Sequence, residues 1–458
     1  MSLASFFQIL PPKLPYSCKS VPIETLLMPE KITLLWYKKN PSDVAPKVGD
    51  RVKTGQDLAE DGKGPFVSTA TGRIEEISDF QGPEGHGYVS VVISQNKRDS
   101  FDLALTPIED FSEVDPVDLR AAVNRAGFTA LSSISNDPST WPSVNTLIVS
   151  ALDLDPHSVV NQQIFRDHVD LVEDSIDLLA RTTGASSCVI AVPDNLSDIA
   201  GSISTGIANI VIVPPIYPKG LPDILAKEYG KGFLIKRNEN QVVTGNTLVI
   251  SIEHAIAMLG CLKTGKPLTD KTITFSAGKG GEMKNFRVRI GMPVAEILKK
   301  ADVEPPERGK LILNGLMNGY ACFSGDQPIT ESTDSIHVQA PSEVFYFQDN
   351  ACINCGKCNA ICPVDLEVNF LGRFSQYGMF DKCRNLGAEN CIECGLCAYV
   401  CPAHRPLVQL ISHAKHVIRT EALEDVSMEE ALAKIEMEDF HPTIKLFETK
   451  QEEKNTTK

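Results

Sequence analysis

The chain has 458 residues, too many for one small core, so three or four domains are expected. Hydrophobic residues make up 42% and charged residues 22%, ordinary for a globular protein, while a net charge of −15 argues against nucleic acid or an anionic membrane surface as a partner. No window of about 18 apolar residues occurs, so no spanning helix is predicted.

Met1 to Tyr16 lacks a basic stretch followed by an apolar run, which predicts no signal peptide. Residues 1–30 carry several prolines and no clear period, and read as an extended arm. From 31 to 105 short apolar runs are punctuated by glycine, as in Val48-Gly49-Asp50-Arg51-Val52-Lys53-Thr54-Gly55-Gln56-Asp57-Leu58. That string resembles a biotinyl/lipoyl-like barrel-sandwich hybrid. Its candidate hairpin turn, Ser68-Thr69-Ala70-Thr71-Gly72, has no lysine to carry a prosthetic arm, so a structural role is expected.

Between 106 and 268 helical and strand patterns alternate. Leu119 to Ala126 reads as helix, and Thr146 to Ser150 as a short apolar strand. Gln163 to Thr183 reads as one helix, with Phe165, Val169, Val172, Ile176 and Leu179 on a single face. Ser187 to Val192 and Ile207 to Pro214 are strands; Leu221 to Tyr229 and His254 to Lys263 are helices. This alternation predicts a Rossmann-like α/β layer fold with mostly parallel strands. From 269 to 342 short strands surround one helix, Val294 to Ala301, which fits a β-grasp module.

The segment 343–420 carries the chemistry. Eight of the 13 cysteines fall into two copies of Cys-x2-Cys-x2-Cys-x3-Cys-Pro: Cys352, Cys355, Cys358, Cys362 with Pro363, and Cys391, Cys394, Cys397, Cys401 with Pro402. This spacing is the bacterial ferredoxin signature for two [4Fe-4S] clusters, in which the fourth cysteine ligates the other cluster. On that rule Cys352, Cys355, Cys358 and Cys401 hold one cluster, and Cys391, Cys394, Cys397 and Cys362 the other. Gly356 and Gly395 lie where backbone passes close to sulfide. Structural zinc takes its ligands mostly as two pairs and has no use for the three-plus-one run. A disulfide framework needs an oxidising compartment, which nothing here suggests. The pattern favours clusters over zinc, and zinc over disulfides. Two short helices are expected between the motifs and another at Leu410 to Arg419; 421–458 reads as an acidic tail.

Outside the motifs, Cys18, Cys188, Cys261, Cys322 and Cys383 show no ligand spacing; Cys188 reads as a buried strand residue and Cys383 as a packed one. His404 could adjust a cluster's potential or simply lie on the surface. Lys263, Lys266 and Lys271 are candidates for a local basic patch, or for a solvated face.

The order of these parts, with the strings Cys352-Ile353-Asn354-Cys355-Gly356-Lys357-Cys358 and Cys391-Ile392-Glu393-Cys394-Gly395-Leu396-Cys397, resembles the C subunit of the Rnf ion-translocating electron-transport complex. Thr264-Gly265-Lys266-Pro267-Leu268 is similar to that family as well. The resemblance implies a peripheral subunit on the cytoplasmic face of a membrane complex that couples electron flow to ion transport. It implies Rnf-type membrane subunits and ferredoxin or another redox carrier as partners. It also implies an α/β domain that binds FMN and NADH.

Here the sequence departs from the family. The glycine-rich flavin loop is represented by Ala122-Val123-Asn124-Arg125-Ala126-Gly127-Phe128-Thr129-Ala130, in which only Gly127 and Phe128 keep the pattern. The family's second segment appears as Ser150-Ala151-Leu152-Asp153-Leu154-Asp155-Pro156, where Asp153 and Asp155 could meet ribose or water, or simply precede a helix. Glycines in such a loop let backbone N–H groups cradle an anion. Their loss predicts impaired or absent FMN and NADH binding, with the domain kept as scaffold. The alternative is an FMN-dependent NADH:ferredoxin oxidoreductase subunit with an intact hydride-transfer site.

Overall fold

The computed structural model describes residues 13–424 except 38, 61–65, 83–86, 97, 103–104, 129–143, 204–205, 207, 231–235, 239–240, 245–246, 279, 305–306, 345 and 348–349. The expected acidic tail from 425 on, residues 1–12 of the arm, and Thr129 and Ala130 lie outside the described residues.

The N-terminal segment is extended and tied down. Its strand β1 (Ile23–Thr25) pairs in parallel with Asn285–Arg287. Strands β2 (Lys31–Tyr37), β3 (Arg51–Val52), β4 (Gly72–Gln81) and β5 (Gly87–Gln95) make an antiparallel sheet ordered β2-β5-β4-β3. Period-2 alternation turns Ile32, Leu34, Val89, Val91 and Ile93 inward, where Leu58 and Phe66 pack on them. The turn at Ser68–Gly72 is no exposed tip. Thr69 Oγ1 donates to the Ile290 carbonyl at 2.7 Å, and Arg289 donates to the Thr69 carbonyl at 2.7 Å, so the turn is a buried joint with the third sheet.

The second layer system runs α1 (Pro116–Arg125), β6 (Thr146–Ser150), α2 (Val160–Asp167), α3 (Val172–Thr183), β7 (Ser187–Pro193), α4 (Ser197–Ala200), β8 (Ala208–Val213), α5 (Pro222–Tyr229), β9 (Lys236–Asn238), β10 (Gln241–Thr244), β11 (Thr247–Ser251) and α6 (Ile252–Thr264). Its sheet is ordered β8-β7-β6-β11-β10-β9, and the first four strands are parallel. Every residue of β6 is buried, as a strand covered on both faces requires. Residues of α1, α3 and α6 cover one face, and α5 with Leu152 covers the other. The strand order reverses between β6 and β11, the place where open α/β sheets leave a crevice.

The single helix expected from Gln163 to Thr183 is broken at His168, whose φ of −134° and ψ of 33° leave the helical region. The break lets two helices serve different surfaces. On α2, Gln163 accepts from Val21 N–H at 2.8 Å and Gln162 donates to the Ser17 carbonyl at 2.9 Å, so α2 holds the N-terminal segment. On α3, Val172, Ile176 and Leu179 pack into the apolar core.

The third sheet contains β12 (Asp270–Ala277), β13 (Lys284–Arg289), β14 (Lys310–Leu313), β15 (Tyr320–Cys322) and β16 (Ser335–Gln339), with α7 (Val294–Lys300) packed on it. Its order is β1-β13-β12-β16-β14-β15. Lys271, a candidate for a basic surface patch, is instead buried on β12. It pairs with Glu253 and, at 2.9 Å, with Asp334. Lys263 is ion-paired with Asp174 at 2.6 Å, and Lys266 lies 5.3 Å from the Phe101 ring centroid.

The C-terminal unit is helical: α8 (Lys357–Ile361), α9 (Val368–Gln376), α10 (Phe380–Asn385), α11 (Leu396–Tyr399) and α12 (Leu407–Glu424). Leu371, Cys383, Ile411, Ala414 and Ile418 form its centre. Among the described residues, no helix is long and apolar enough to cross a membrane.

Candidate functional site

Each cysteine motif folds as a loop that enters a one-turn helix and leaves it at a Cys-Pro step. The backbone repeats: φ is +56° at Asn354 and +55° at Glu393, +71° at Gly356 and +78° at Gly395, and +56° at Asp365 and +55° at His404. Left-handed residues at matching positions curl the chain, and backbone N–H groups reach the sulfurs, as at Glu393 toward Cys391 Sγ and Leu366 toward Cys362 Sγ, both at 3.4 Å, which suits an anionic centre. Gly356 and Gly395 then start α8 and α11.

The folded chain brings Cys352, Cys355, Cys358 and Cys401 around one cavity of about 400 Å³, mouth included. Cys362 leaves its own loop. It lies within electrostatic reach of Cys391, Cys394 and Cys397, each of whose thiols it helps to push up. Two quartets therefore arise, each from three cysteines of one motif and the last of the other. Among the described residues, no three His, Cys, Asp or Glu converge closely enough to share one ion. The thiolates of a cubane each bind a different iron, so they stand farther apart than ligands of a single ion.

Burial sets the protonation of the thiols. It raises Cys358 and Cys391 to about 11 and Cys394 to about 12, and raises Cys397 as well. At Cys352 burial also acts upward, but the Asn354 backbone N–H and the Arg373 guanidinium outweigh it, and the thiol sits below its ordinary value. At Cys358, Cys391, Cys394 and Cys397 burial thus favours the neutral thiol, and iron, which requires thiolate, would displace those protons on binding. Cys383 stays outside both quartets, fully buried in the helical core with its thiol toward the Leu371 carbonyl at 3.7 Å. His404 donates its backbone N–H to Cys401 O at 3.1 Å and takes the left-handed turn after Pro402.

Residues from other parts of the chain complete the surroundings, and no sequence spacing announced them. Tyr217, after β8, donates its hydroxyl to the Cys394 carbonyl at 2.6 Å. Lys415 of α12 donates to the Cys391 carbonyl at 2.8 Å and pairs with Glu393. Met317, in the β14–β15 connection, lies against Gly395: a Cβ there would stand 2.2 Å from the Met317 carbonyl oxygen. Tyr16, Tyr217, Leu221, Ile224, Ile392 and Leu396 form one buried apolar cluster between the α/β layers and the second motif.

The flavin-loop candidates fall elsewhere. Gly127 has φ +87° and faces Val67, while Phe128 is fully buried in the α/β core. Asp153 and Asp155 are buried within the protein's own hydrogen bonds. Asp153 accepts from Asn161 N–H at 2.8 Å and from Gln162 Nε2 at 2.9 Å, and burial raises its carboxyl to about 7. Asp155 accepts from His157 N–H at 2.9 Å and from Met317 N–H at 3.0 Å, and burial raises it too. The crevice at the β6/β11 switch is lined by Ser150, Asn161, Gly220, Ser251, His254 and Asp334, among others.

Comparison with known proteins agrees with this geometry. A family model described as a 4Fe-4S dicluster domain matches residues 345–415. The C subunit of the ion-translocating oxidoreductase complex of Serratia proteamaculans is 28% identical over 447 residues, covering 93% of this chain and 63% of that protein. The C subunit of the Na+-translocating ferredoxin:NAD+ oxidoreductase complex of Acetobacterium woodii is 26% identical over 396 residues, covering 81% of this chain and 87% of that one. The chain therefore spans less than two thirds of the first relative's length and most of the second's. Among solved structures, an NAD+-reducing [NiFe]-hydrogenase in the air-oxidized state aligns with TM-score 0.40 at 12% identity, over 67% of this chain and 66% of that one, too distant to carry an inference. Over most of its length, and including the dicluster segment, the chain is similar to the C subunits of ion-translocating oxidoreductase (Rnf) complexes.

Proposed function

We propose that this chain is the peripheral electron-transfer subunit of an Rnf-type complex, on the cytoplasmic face of a membrane, passing single electrons between the complex's other subunits and a soluble carrier such as ferredoxin. The observation that carries the reading is the pair of thiol quartets, each completed by the other motif's last cysteine. The donor set fits two [4Fe-4S] clusters, which when bound supply reversible one-electron chemistry at low potential. The protein's own part is to hold the eight thiolates, turn backbone N–H groups toward them, and exclude water from the second quartet.

In this reading the segments 31–105, 106–268 and 269–342 (barrel-sandwich hybrid, α/β domain and β-grasp) form the scaffold that carries the dicluster segment 343–420. The α/β domain is read as structural, since both carboxylates that would meet a ribose are already engaged by protein donors. The test is anaerobic spectroscopy of the intact chain. Dithionite should give the paramagnetic signals of two interacting reduced clusters, while NADH alone should bleach nothing. Bleaching by NADH together with stoichiometric FMN would replace this reading with that of a flavin-dependent oxidoreductase subunit.

A further inference from the structure

The two cysteine loops share a backbone but not an environment. Ile353 in the first loop is 65% exposed, whereas its counterpart Ile392 is 6% exposed. A Cβ on Gly356 meets nothing within 4 Å; on Gly395 it meets Met317. Cys394 is buried under Tyr217, while Cys355 is part-exposed. Charge differs as well. Around the first cavity stand Lys357 and Arg405, and Arg373 reaches Asn354. On the second loop Glu393 is paired with Lys415. Nearby, Phe370, Tyr377 and Met379 expose large apolar surface on and beyond α9.

We propose that the first quartet is the port at which this chain exchanges electrons with an acidic redox protein, docked on Ile353, Lys357 and Arg373, while the second quartet faces inward to the α/β domain. This rests on the cluster reading above and adds to it a face and a partner chemistry. The exchange is a plain one-electron step: the carrier's reduced centre is oxidised by one electron and the first site's iron is reduced by one, with no bond made or broken. The occupant is argued from charge. The whole chain carries −15, yet this site is lined by Lys357 and the buried Arg405 with no carboxylate among its lining residues, so an acidic partner repelled by the whole molecule is attracted here.

The test uses the intact chain with both sites loaded and a reduced acidic two-cluster ferredoxin as probe, followed by stopped flow. Iron content and the paramagnetic signals are measured first on every variant, so a failure of the cluster reading shows there and not in the kinetics. Docking at this site makes the exchange rate of the unaltered protein fall with salt; repulsion between two acidic molecules makes it rise. Lys357→Glu should slow exchange about fivefold at low salt and abolish most of its salt dependence. Ile353→Asp should slow it by a similar factor, whereas Lys53→Glu, at the exposed residue just after β3, should leave it unchanged. A rate that rises with salt, or Lys53→Glu slowing exchange as much as Lys357→Glu, overturns the proposal. So does a Lys357→Glu protein with full iron and unaltered kinetics.

Discussion

The matched glycines give a comparison in which sequence context is nearly constant and tertiary environment is not. Alanine at Gly356 or Gly395 must adopt a left-handed backbone, which costs about 1–2 kcal/mol at either site. At Gly356 nothing further is added, because the space beyond is open. At Gly395 the new Cβ would sit 2.2 Å from the Met317 oxygen and 3.1 Å from its carbonyl carbon. Met317 would have to retreat by roughly 1 Å, an overpacking that typically costs about 1–3 kcal/mol more. It cannot do so freely, since its N–H is held by the buried Asp155 carboxylate. Gly395→Ala should therefore be the more damaging by about 1–3 kcal/mol, where each 1.4 kcal/mol is a factor of ten. Urea titration of each anaerobically loaded variant, followed by cluster absorbance, reads the difference: the midpoint of Gly395→Ala should fall well below that of Gly356→Ala. Equal midpoints, or the reverse order, would refute the asymmetry between the two loops.

Cys362→Ala should remove the signals of the site made by Cys391, Cys394 and Cys397 and spare its own loop's site, with Cys401→Ala doing the converse; loss confined to the same loop would show that the last cysteine does not cross over. Lys271→Met leaves the buried Glu253 and the part-buried Asp334 without their cation and should destabilise the joint of the second and third sheets by about 3–5 kcal/mol, read by thermal unfolding. A loss under about 1 kcal/mol would mean the carboxylates are not desolvated as described. Asp153 has its carboxyl raised to about 7 in the fold against roughly 4 in an unfolded chain. Its protonated form is favoured by folding, so its contribution is full below about pH 4 and is lost as pH rises through about 7, up to about 4 kcal/mol in all. Unfolding compared between the unaltered protein and Asp153→Asn should show that slope only in the former; parallel pH profiles would count against it.

Periodicity was a good guide to the layers and a poor guide to their joints. The apolar runs Thr146–Ser150 and Ser187–Val192 are legible because strands covered on both faces have no polar side to hide. The break at His168 is not legible, because no proline or glycine marks it and its cause is tertiary: α2 turns Gln162 and Gln163 to the N-terminal segment. Likewise Ser68–Gly72 has the composition of an exposed turn, and only Arg289 and Ile290, distant in sequence, make it a buried joint. Lys271 reads as a surface cation until Glu253 and Asp334 are brought to it by the fold.

The candidate site divides in the same way. Thiolate chemistry leaves a fixed spacing, so all eight cysteines stand out of the sequence. The residues that distinguish one quartet from the other, Tyr217, Met317, Lys415 and Arg373, act through single contacts across the fold and leave no local pattern. Asp153 and Asp155 show the reverse hazard: two carboxylates before a helix look available to a ligand, yet their acceptor atoms are filled by Asn161, Gln162, His157 and Met317.

The most direct measurement is the iron, acid-labile sulfide and zinc content of the chain prepared without oxygen. Two thiol quartets crossing between the motifs predict about eight iron and eight sulfide per chain and negligible zinc. Stoichiometric zinc, or about four iron in a preparation whose eight cysteines are reduced and intact, would contradict it.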